Sequence, residues 1–107
     1  MPLKWDFFEY LPAALQDAAS GEVMMIQYMT KEGFDRSLEE RSTWLWSRSR
    51  EQFWLAGRNG GGYDVRDLRG NCYGDSLLAI VEATDRSVCH LGNRTCFSNG
   101  FMSTGSG

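Results

Sequence analysis

The sequence is poor in several residue types that define common classes of protein. It contains three cysteines, two prolines and one histidine in 107 residues, and its longest apolar run is Leu77 to Val81. That run is far too short to cross a membrane, and the N-terminal residues lack the apolar stretch of a signal peptide. We therefore expect a cytoplasmic protein with reduced thiols and no membrane partner.

Acidic residues outnumber basic residues only slightly, 14 to 11. The formal net charge is −3 and the pI is near 5.0, so no overall positive field would draw the chain to nucleic acid. The basic residues are nine arginines and only two lysines. The forked guanidinium group suits phosphate and carboxylate ligands, although a general preference for surface arginine would give the same composition.

Turn signals and apolar patterns predict one domain over residues 1–101, followed by a flexible polar tail over residues 102–107. One helix among six short strands predicts a mostly β (α+β) fold with mixed or antiparallel strands. The predicted strands are 11–15, 23–29, 43–47, 52–55, 63–68 and 76–83. The stretch 23–29 could equally begin as a buried helical segment.

The predicted helix covers residues 31–40. Thr30 is a suitable N-cap, and Phe34 and Leu38 are four residues apart, which places them on one face. We expect Phe34, Leu38 and the Leu77 to Val81 run to lie in the core. We expect Trp44, Trp46 and Trp54 to lie in the core or in an interface rather than against a ligand.

The three cysteines form a candidate zinc site. Cys89 and Cys96 bracket a short loop, and Cys72 lies seventeen residues before Cys89, at a turn. Catalytic zinc usually keeps three protein ligands and an open position for water, whose pKa it lowers to about 7. His90 would be strained as a fourth ligand beside Cys89 and fits better as a base. The spacing alone leaves open that the cysteines are buried and inert.

Several separate motifs resemble those of one enzyme family. The segment from Cys89 to Phe97, Cys-His-Leu-Gly-Asn-Arg-Thr-Cys-Phe, resembles the C-terminal signature of phosphoribosyl-AMP cyclohydrolases. Further matches, in the family's order, are Leu11-Pro12-Ala13 followed by Gln16-Asp17, Tyr28-Met29, and Trp46-Ser47-Arg48-Ser49-Arg50 with Trp54 and Gly57. The resemblance runs from about Tyr10 to Phe97.

This resemblance implies a zinc-dependent hydrolase that opens the purine ring of phosphoribosyl-AMP in histidine biosynthesis. It also implies an intertwined homodimer in which Cys72, Cys89 and Cys96, drawn from both subunits, hold the zinc. His90 is implied to be the residue that transfers a proton.

Two stretches of this sequence differ from the family. The family has Asp-Cys-Asp-x-Asp around its first cysteine, and these aspartates bind magnesium. Here the stretch is Asn71-Cys72-Tyr73-Gly74-Asp75, so Asp75 is the one aspartate that remains as a candidate magnesium ligand. One carboxylate, one amide and one phenol make a poor magnesium site. After Gly57 the family has Glu-Thr-Ser-Gly-Asn, and this chain has Arg58-Asn59-Gly60-Gly61-Gly62.

Arginine could supply the positive charge that a phosphorylated nucleotide needs in place of magnesium. Arg58, which the family pattern lacks after Gly57, is a candidate to bind the substrate in this way. Arg48 and Arg50 alternate with Ser47 and Ser49, which predicts a strand that projects both guanidinium groups to one face and binds substrate. A solvated charged face of an edge strand is the alternative.

Three functions remain open for this sequence. The first is a zinc-dependent cyclohydrolase acting on phosphoribosyl-AMP or a closely related nucleotide. The second is a divergent, non-catalytic paralogue that binds zinc or a nucleotide, since the magnesium aspartates are largely replaced. The third is a purely structural dimer with a stabilising zinc.

Overall fold

The computed structural model describes residues 3–56, 62–82, 95–97 and 100–102. Within these residues no helix is long and apolar enough to span a bilayer. The elements are β1 (Tyr10–Asp17), β2 (Val23–Thr30), α1 (Lys31–Glu40), β3 (Trp44–Ser47), β4 (Gln52–Leu55), β5 (Asp64–Gly70) and β6 (Leu77–Glu82). The predicted mostly β fold with one helix is confirmed, and the stretch 23–29 is a strand. The boundary of the tail at residue 102 stays a prediction.

Four of the strands form one mixed sheet in the order β2-β1-β6-β5. β1 pairs antiparallel with β2 and parallel with β6, and β5 pairs antiparallel with β6. Side chains alternate between the two faces of a strand, so every second residue of β1 and β6 faces the core. The buried residues of these two strands include Leu11, Ala13, Leu15, Leu77, Ala79 and Val81.

The parallel pairing of β1 and β6 fixes where the connecting segments lie. Ala13 is level with Leu77, and Asp17 is level with Val81. The turn that enters β6 is therefore at one end of the sheet. The end of β6 is at the opposite end, beside the hairpin that joins β1 to β2.

The helix packs against the separate β3–β4 hairpin through its smallest residues. Thr30 caps its first turn, because its Oγ1 accepts a hydrogen bond from the Gly33 N–H at 3.0 Å. Gly33 and Ser37 are its buried residues. The Ser37 hydroxyl donates to the Gly33 carbonyl at 2.8 Å and accepts from the Trp44 N–H at 3.0 Å, which joins the helix to β3.

The predicted buried face of the helix is partly wrong. Phe34 is half-buried against the core and against Trp5, with ring centroids 5.8 Å apart. Leu38, however, is 53% exposed. The face that meets β3 is formed by Gly33 and Ser37, because small side chains permit the close approach, and this geometry turns Leu38 towards the surface.

We predict that Gly33→Ala destabilises the protein, although alanine is the better helix former. A Cβ at this position would lie 2.9 Å from the Trp44 carbonyl oxygen, so the helix or β3 must shift. The expected loss is about 1–3 kcal/mol in the free energy of unfolding, measured by urea denaturation at fixed protein concentration. Glu39→Ala, at an exposed position of the same helix, is the control and should change stability by less than about 0.5 kcal/mol. Equal stability of the Gly33→Ala and unsubstituted proteins would contradict this packing.

Candidate functional site

The segment with alternating arginines and serines is a turn, so the predicted strand through Arg48 and Arg50 is wrong. β3 ends at Ser47, and the chain reverses before β4 begins at Gln52. The Ser47 Oγ accepts a hydrogen bond from the Arg50 N–H at 3.2 Å, and Glu51 takes a left-handed conformation with φ 51°. Local hydrogen bonding of a serine side chain to the backbone favours a turn over continued strand.

This turn borders an open cavity of about 670 Å³ between the hairpin and β2. The cavity contains all four of the predicted substrate residues that the structure describes, although on a turn rather than on a strand. It also contains Trp46 and Trp54, which we expected in the core or in an interface rather than against a ligand; Trp54 is partly buried and also packs against the core. The lining residues are Gln27, Tyr28, Trp46, Ser47, Arg48, Ser49, Arg50, Gln52 and Trp54.

Aromatic rings of the four-stranded sheet hold the Arg48 guanidinium group. Its carbon lies 3.9 Å from the centroid of the Tyr28 ring and 5.9 Å from that of Tyr10. The two tyrosine rings meet edge to face, with centroids 5.5 Å apart. A guanidinium group stacked on a ring keeps its N–H groups directed outwards in its own plane, where an anion can accept them.

The charge in this cavity is available to a ligand. Within the described part of the chain, neither Arg48 nor Arg50 forms an ion pair with a carboxylate. The hydroxyl groups of Ser47 and Ser49 lie beside them, with the two Oγ atoms 3.5 Å apart. Two cationic groups and two hydroxyls on one cavity wall make a site that suits phosphate oxygens.

Cys72 lies on the turn between β5 and β6, and its side chain is exposed. The neighbouring Asn71 closes this turn. Its Oδ1 accepts from the N–H groups of Asp75 at 2.9 Å and Ser76 at 3.2 Å, and its Nδ2 donates to Asp75 Oδ1 at 2.6 Å. Asp75, the remaining candidate magnesium ligand, is thus already engaged by a neutral amide. The residues of this turn do not fit a magnesium ion.

Cys96 is anchored at the beginning of β2, and its side chain is also exposed. Its N–H donates to the Met24 carbonyl at 2.7 Å, and the adjacent Thr95 Oγ1 donates to the Val23 carbonyl at 2.7 Å. The register between β1 and β2 shifts here, which leaves Met24 without a partner on β1. Such a bulge disrupts the regular strand ladder, and the Met24 carbonyl instead fixes the position of Cys96.

Cys72 and Cys96 of one chain lie at opposite ends of the sheet. Cys72 follows the end of β5, where Gly70 is level with Leu77, while Cys96 contacts β2 at the far side of the sheet. At ~3.3 Å per residue along a strand and ~4.8 Å between strands, this places them roughly 15–20 Å apart. Two thiolates on one zinc lie within ~4.6 Å of each other. One chain therefore cannot bind a single zinc ion through both residues.

In the described part of one chain, the other aspartates near β5 do not gather with Asp75 into a metal site. Asp64 begins β5 at the end of the strand that is distant from Asp75. Arg69 donates from its Nε to Asp67 Oδ2 at 2.7 Å, and this hydrogen bond lowers the pKa of the Asp67 carboxyl below its ordinary value. In the described ranges, no group of three or more His, Cys, Asp or Glu side chains could hold a metal ion.

Three of the predicted site residues, Cys89, His90 and Arg58, lie outside the described residues. Conversely, Gln27 and Gln52 line the cavity and were not predicted. Isolated glutamines carry no motif, and only the packing of the β3–β4 hairpin beside β2 brings them to the same cavity.

Comparison with known proteins identifies relatives over most of the chain. The family model for phosphoribosyl-AMP cyclohydrolase matches residues 25–98. A protein of Clostridium botulinum named phosphoribosyl-AMP cyclohydrolase is 44% identical over 88 residues, which cover 81% of this chain and 79% of the relative. A protein of the same name from Desulfatibacillum aliphaticivorans is 41% identical over 81% of this chain and 70% of its own length. The histidine biosynthesis bifunctional protein HisIE of Thermosynechococcus vestitus is 38% identical over 89% of this chain and 45% of its own length.

We predict that the cavity binds phosphate groups through Arg48 and Arg50. With inorganic pyrophosphate as the probe, Arg48→Met and Arg50→Met should each weaken binding by about 10-fold in calorimetric titration, since each loses charge-assisted hydrogen bonds. The control is Arg66→Met on β5, which removes the same charge outside the cavity. An equal loss in the control would assign the effect to net charge and contradict a local site.

The ring of Tyr28 should matter more than its hydroxyl group. Tyr28→Phe keeps the surface on which Arg48 stacks and should leave pyrophosphate affinity within about 2-fold, whereas Tyr28→Leu should lower it several-fold. Equal affinities of the two variants would show that the stacking does not position Arg48.

Proposed function

The chain belongs to the phosphoribosyl-AMP cyclohydrolase family, and we propose that it opens the purine ring of phosphoribosyl-AMP by zinc-dependent hydrolysis, as a step of histidine biosynthesis. The observation that carries this proposal is the cavity beside the β3–β4 turn. Residues that the sequence marks as substrate-binding, Ser47, Arg48, Ser49 and Arg50, meet there on one wall.

The cavity has the size and the chemistry for a phosphorylated nucleotide. Its volume of about 670 Å³ lies within the range of small-molecule sites. Arg48 and Arg50 would bind phosphate oxygens, and the hydroxyl groups of Ser47 and Ser49 would add hydrogen bonds to the same group. The stacking of Arg48 on Tyr28 would hold its guanidinium group in place before the substrate arrives.

We further propose that the zinc site is assembled from two copies of this chain. Exposed thiols on two separate segments are suitable zinc ligands, and the distance between Cys72 and Cys96 within one chain excludes a shared ion. Cys72 of one copy and Cys96 of the other would bind the same zinc, with Cys89 as the third ligand. When bound, zinc would supply Lewis-acid activation of a water molecule.

His90 is the proposed proton-transfer residue of this reaction. Hydrolysis adds one water molecule to a ring carbon and breaks a carbon–nitrogen bond of the ring. His90 would take the proton from the attacking water and return it to the nitrogen that leaves the carbon. Its position beside Cys89 in the sequence would keep it close to the zinc ligands.

A non-catalytic paralogue that binds a nucleotide is the second candidate. The observation that favours it is the turn around Cys72, where an amide and a phenol stand at positions that are aspartates in the family pattern. An activity assay separates the two candidates.

We expect the zinc-loaded protein to hydrolyse phosphoribosyl-AMP. His90→Ala should lower kcat by at least about 100-fold through loss of proton transfer. Zinc content and pyrophosphate affinity should not change in this variant. Absence of turnover by the unsubstituted protein would leave the paralogue hypothesis as the better explanation. Full turnover by the variant would instead contradict the proposed role of His90.

A mixture of two inactive variants should test the shared zinc site. Cys72→Ser and Cys96→Ser each remove one ligand from every site, so each variant alone should lose zinc and activity. In a 1:1 mixture that has been unfolded and refolded together, half of the dimers are mixed, and each mixed dimer has one intact site and one doubly substituted site. Zinc content and activity should therefore recover to about one quarter of the unsubstituted level.

The same mixture can also contradict the proposal of a zinc site shared between two copies. If each chain held its own zinc, no combination of the two variants would contain an intact site. Zinc content in the mixture would then stay at the low level of the separate variants.

A further inference from the structure

The turn between β5 and β6 is closed by a side-chain amide beside the proposed zinc ligand Cys72. Asn71 uses both ends of this amide. Its oxygen accepts the N–H groups of Asp75 and Ser76, and its nitrogen donates to the Asp75 carboxylate at 2.6 Å. Hydrogen bonds within this one chain therefore connect the first residue of the turn to its last residues.

Three backbone oxygen atoms of the turn are also engaged. The Asn71 carbonyl accepts from the Gly74 N–H at 3.0 Å, and the Ser76 carbonyl accepts from the Asn71 N–H at 3.1 Å. The Gly74 carbonyl accepts from the Lys4 N–H at 2.8 Å, which ties the N-terminal segment to the turn. Magnesium requires near-octahedral coordination by hard oxygen ligands, and each of these oxygens already accepts one hydrogen bond.

A carboxylate at position 71 would change this arrangement. Its first oxygen could still accept the two backbone N–H groups. Its second oxygen would stand where the Asn71 Nδ2 stands, 2.6 Å from Asp75 Oδ1, and would bring two negative charges into contact. Such a pair requires a cation or a shared proton between the two oxygens.

We infer that the Asn71 amide takes the place of a divalent cation in this chain, so that the turn beside Cys72 is closed without magnesium. The amide N–H supplies the positive partner that Asp75 needs. Tyr73, which is 70% exposed, adds a neutral phenol in place of a carboxylate. The turn keeps its shape while its affinity for hard cations is lost.

One consequence rests on the proposed function. If magnesium does not bind beside Cys72, arginines must neutralise the phosphates of the substrate. Arg48 and Arg50 in the cavity are the described candidates. Turnover should then be independent of added magnesium.

Calorimetric titration of magnesium into the zinc-loaded protein tests the inference. The unsubstituted protein should show no saturable binding below about 1 mM, whereas Asn71→Asp/Tyr73→Asp should bind at least about 10-fold more tightly. Tyr73→Asp is the matched control, because it adds a carboxylate to the turn and leaves the bond between Asn71 and Asp75 intact. It should stay close to the unsubstituted protein.

Thermal unfolding provides a second measurement that does not depend on turnover. Asn71→Asp should lower the Tm without magnesium, and added magnesium should restore it, while the Tm of the unsubstituted protein should not respond. If the double variant does not fold, the Tm of Asn71→Asp with and without magnesium still tests the inference.

Two results would overturn the inference. One is saturable magnesium binding by the unsubstituted protein that Asp75→Asn abolishes. The other is an Asn71→Asp/Tyr73→Asp variant that folds and gains no affinity for magnesium. Because both readouts are independent of catalysis, an inactive protein would count against the proposed function and leave this inference intact.

Discussion

The parallel pairing of β1 with β6 is the constraint on which the candidate site depends. It places the entry to β6, with Cys72, at one end of the sheet. It places the start of β2, where the Met24 carbonyl holds Cys96, near the other end. Since two cysteines on one zinc must nearly touch, this sheet requires a second copy of the chain to complete the proposed zinc site.

Charged side chains have different surroundings on the β3–β4 turn and on the β5–β6 turn. On the β3–β4 turn, Arg48 and Arg50 leave positive charge available in a cavity, and the ring of Tyr28 orients one of them. On the β5–β6 turn, the Asn71 amide donates a hydrogen bond to one oxygen of the Asp75 carboxylate. Together these features support the two proposals that arginine binds the phosphate of the substrate and that no cation is needed beside Cys72.

Local patterns predicted the secondary structure well, because capping, turn residues and apolar spacing act over a few residues. The helix with its Thr30 cap is an example. The errors came from competition between local rules and from packing. Alternation suggested a strand through Arg48, but the Ser47 hydroxyl and the left-handed Glu51 close a turn there. The family resemblance implied that the zinc ligands come from both subunits, and this stays a prediction. The separation of Cys72 and Cys96 within one chain depends on a parallel pairing of distant strands, which no local pattern encodes.

Isotope-resolved cross-linking of Cys72 to Cys96 is the most direct test of a zinc site shared between two copies. The protein would carry Cys89→Ser, and nitrogen-15-labelled and ordinary chains would be refolded together in equal amounts, freed of zinc and treated with a short thiol cross-linker. If the two cysteines meet only between copies, about half of the Cys72–Cys96 linked peptides should pair a heavy with a light peptide. If linked peptides formed but were all purely heavy or purely light, the two cysteines would meet within one chain, and assembly of the site from two copies would be contradicted.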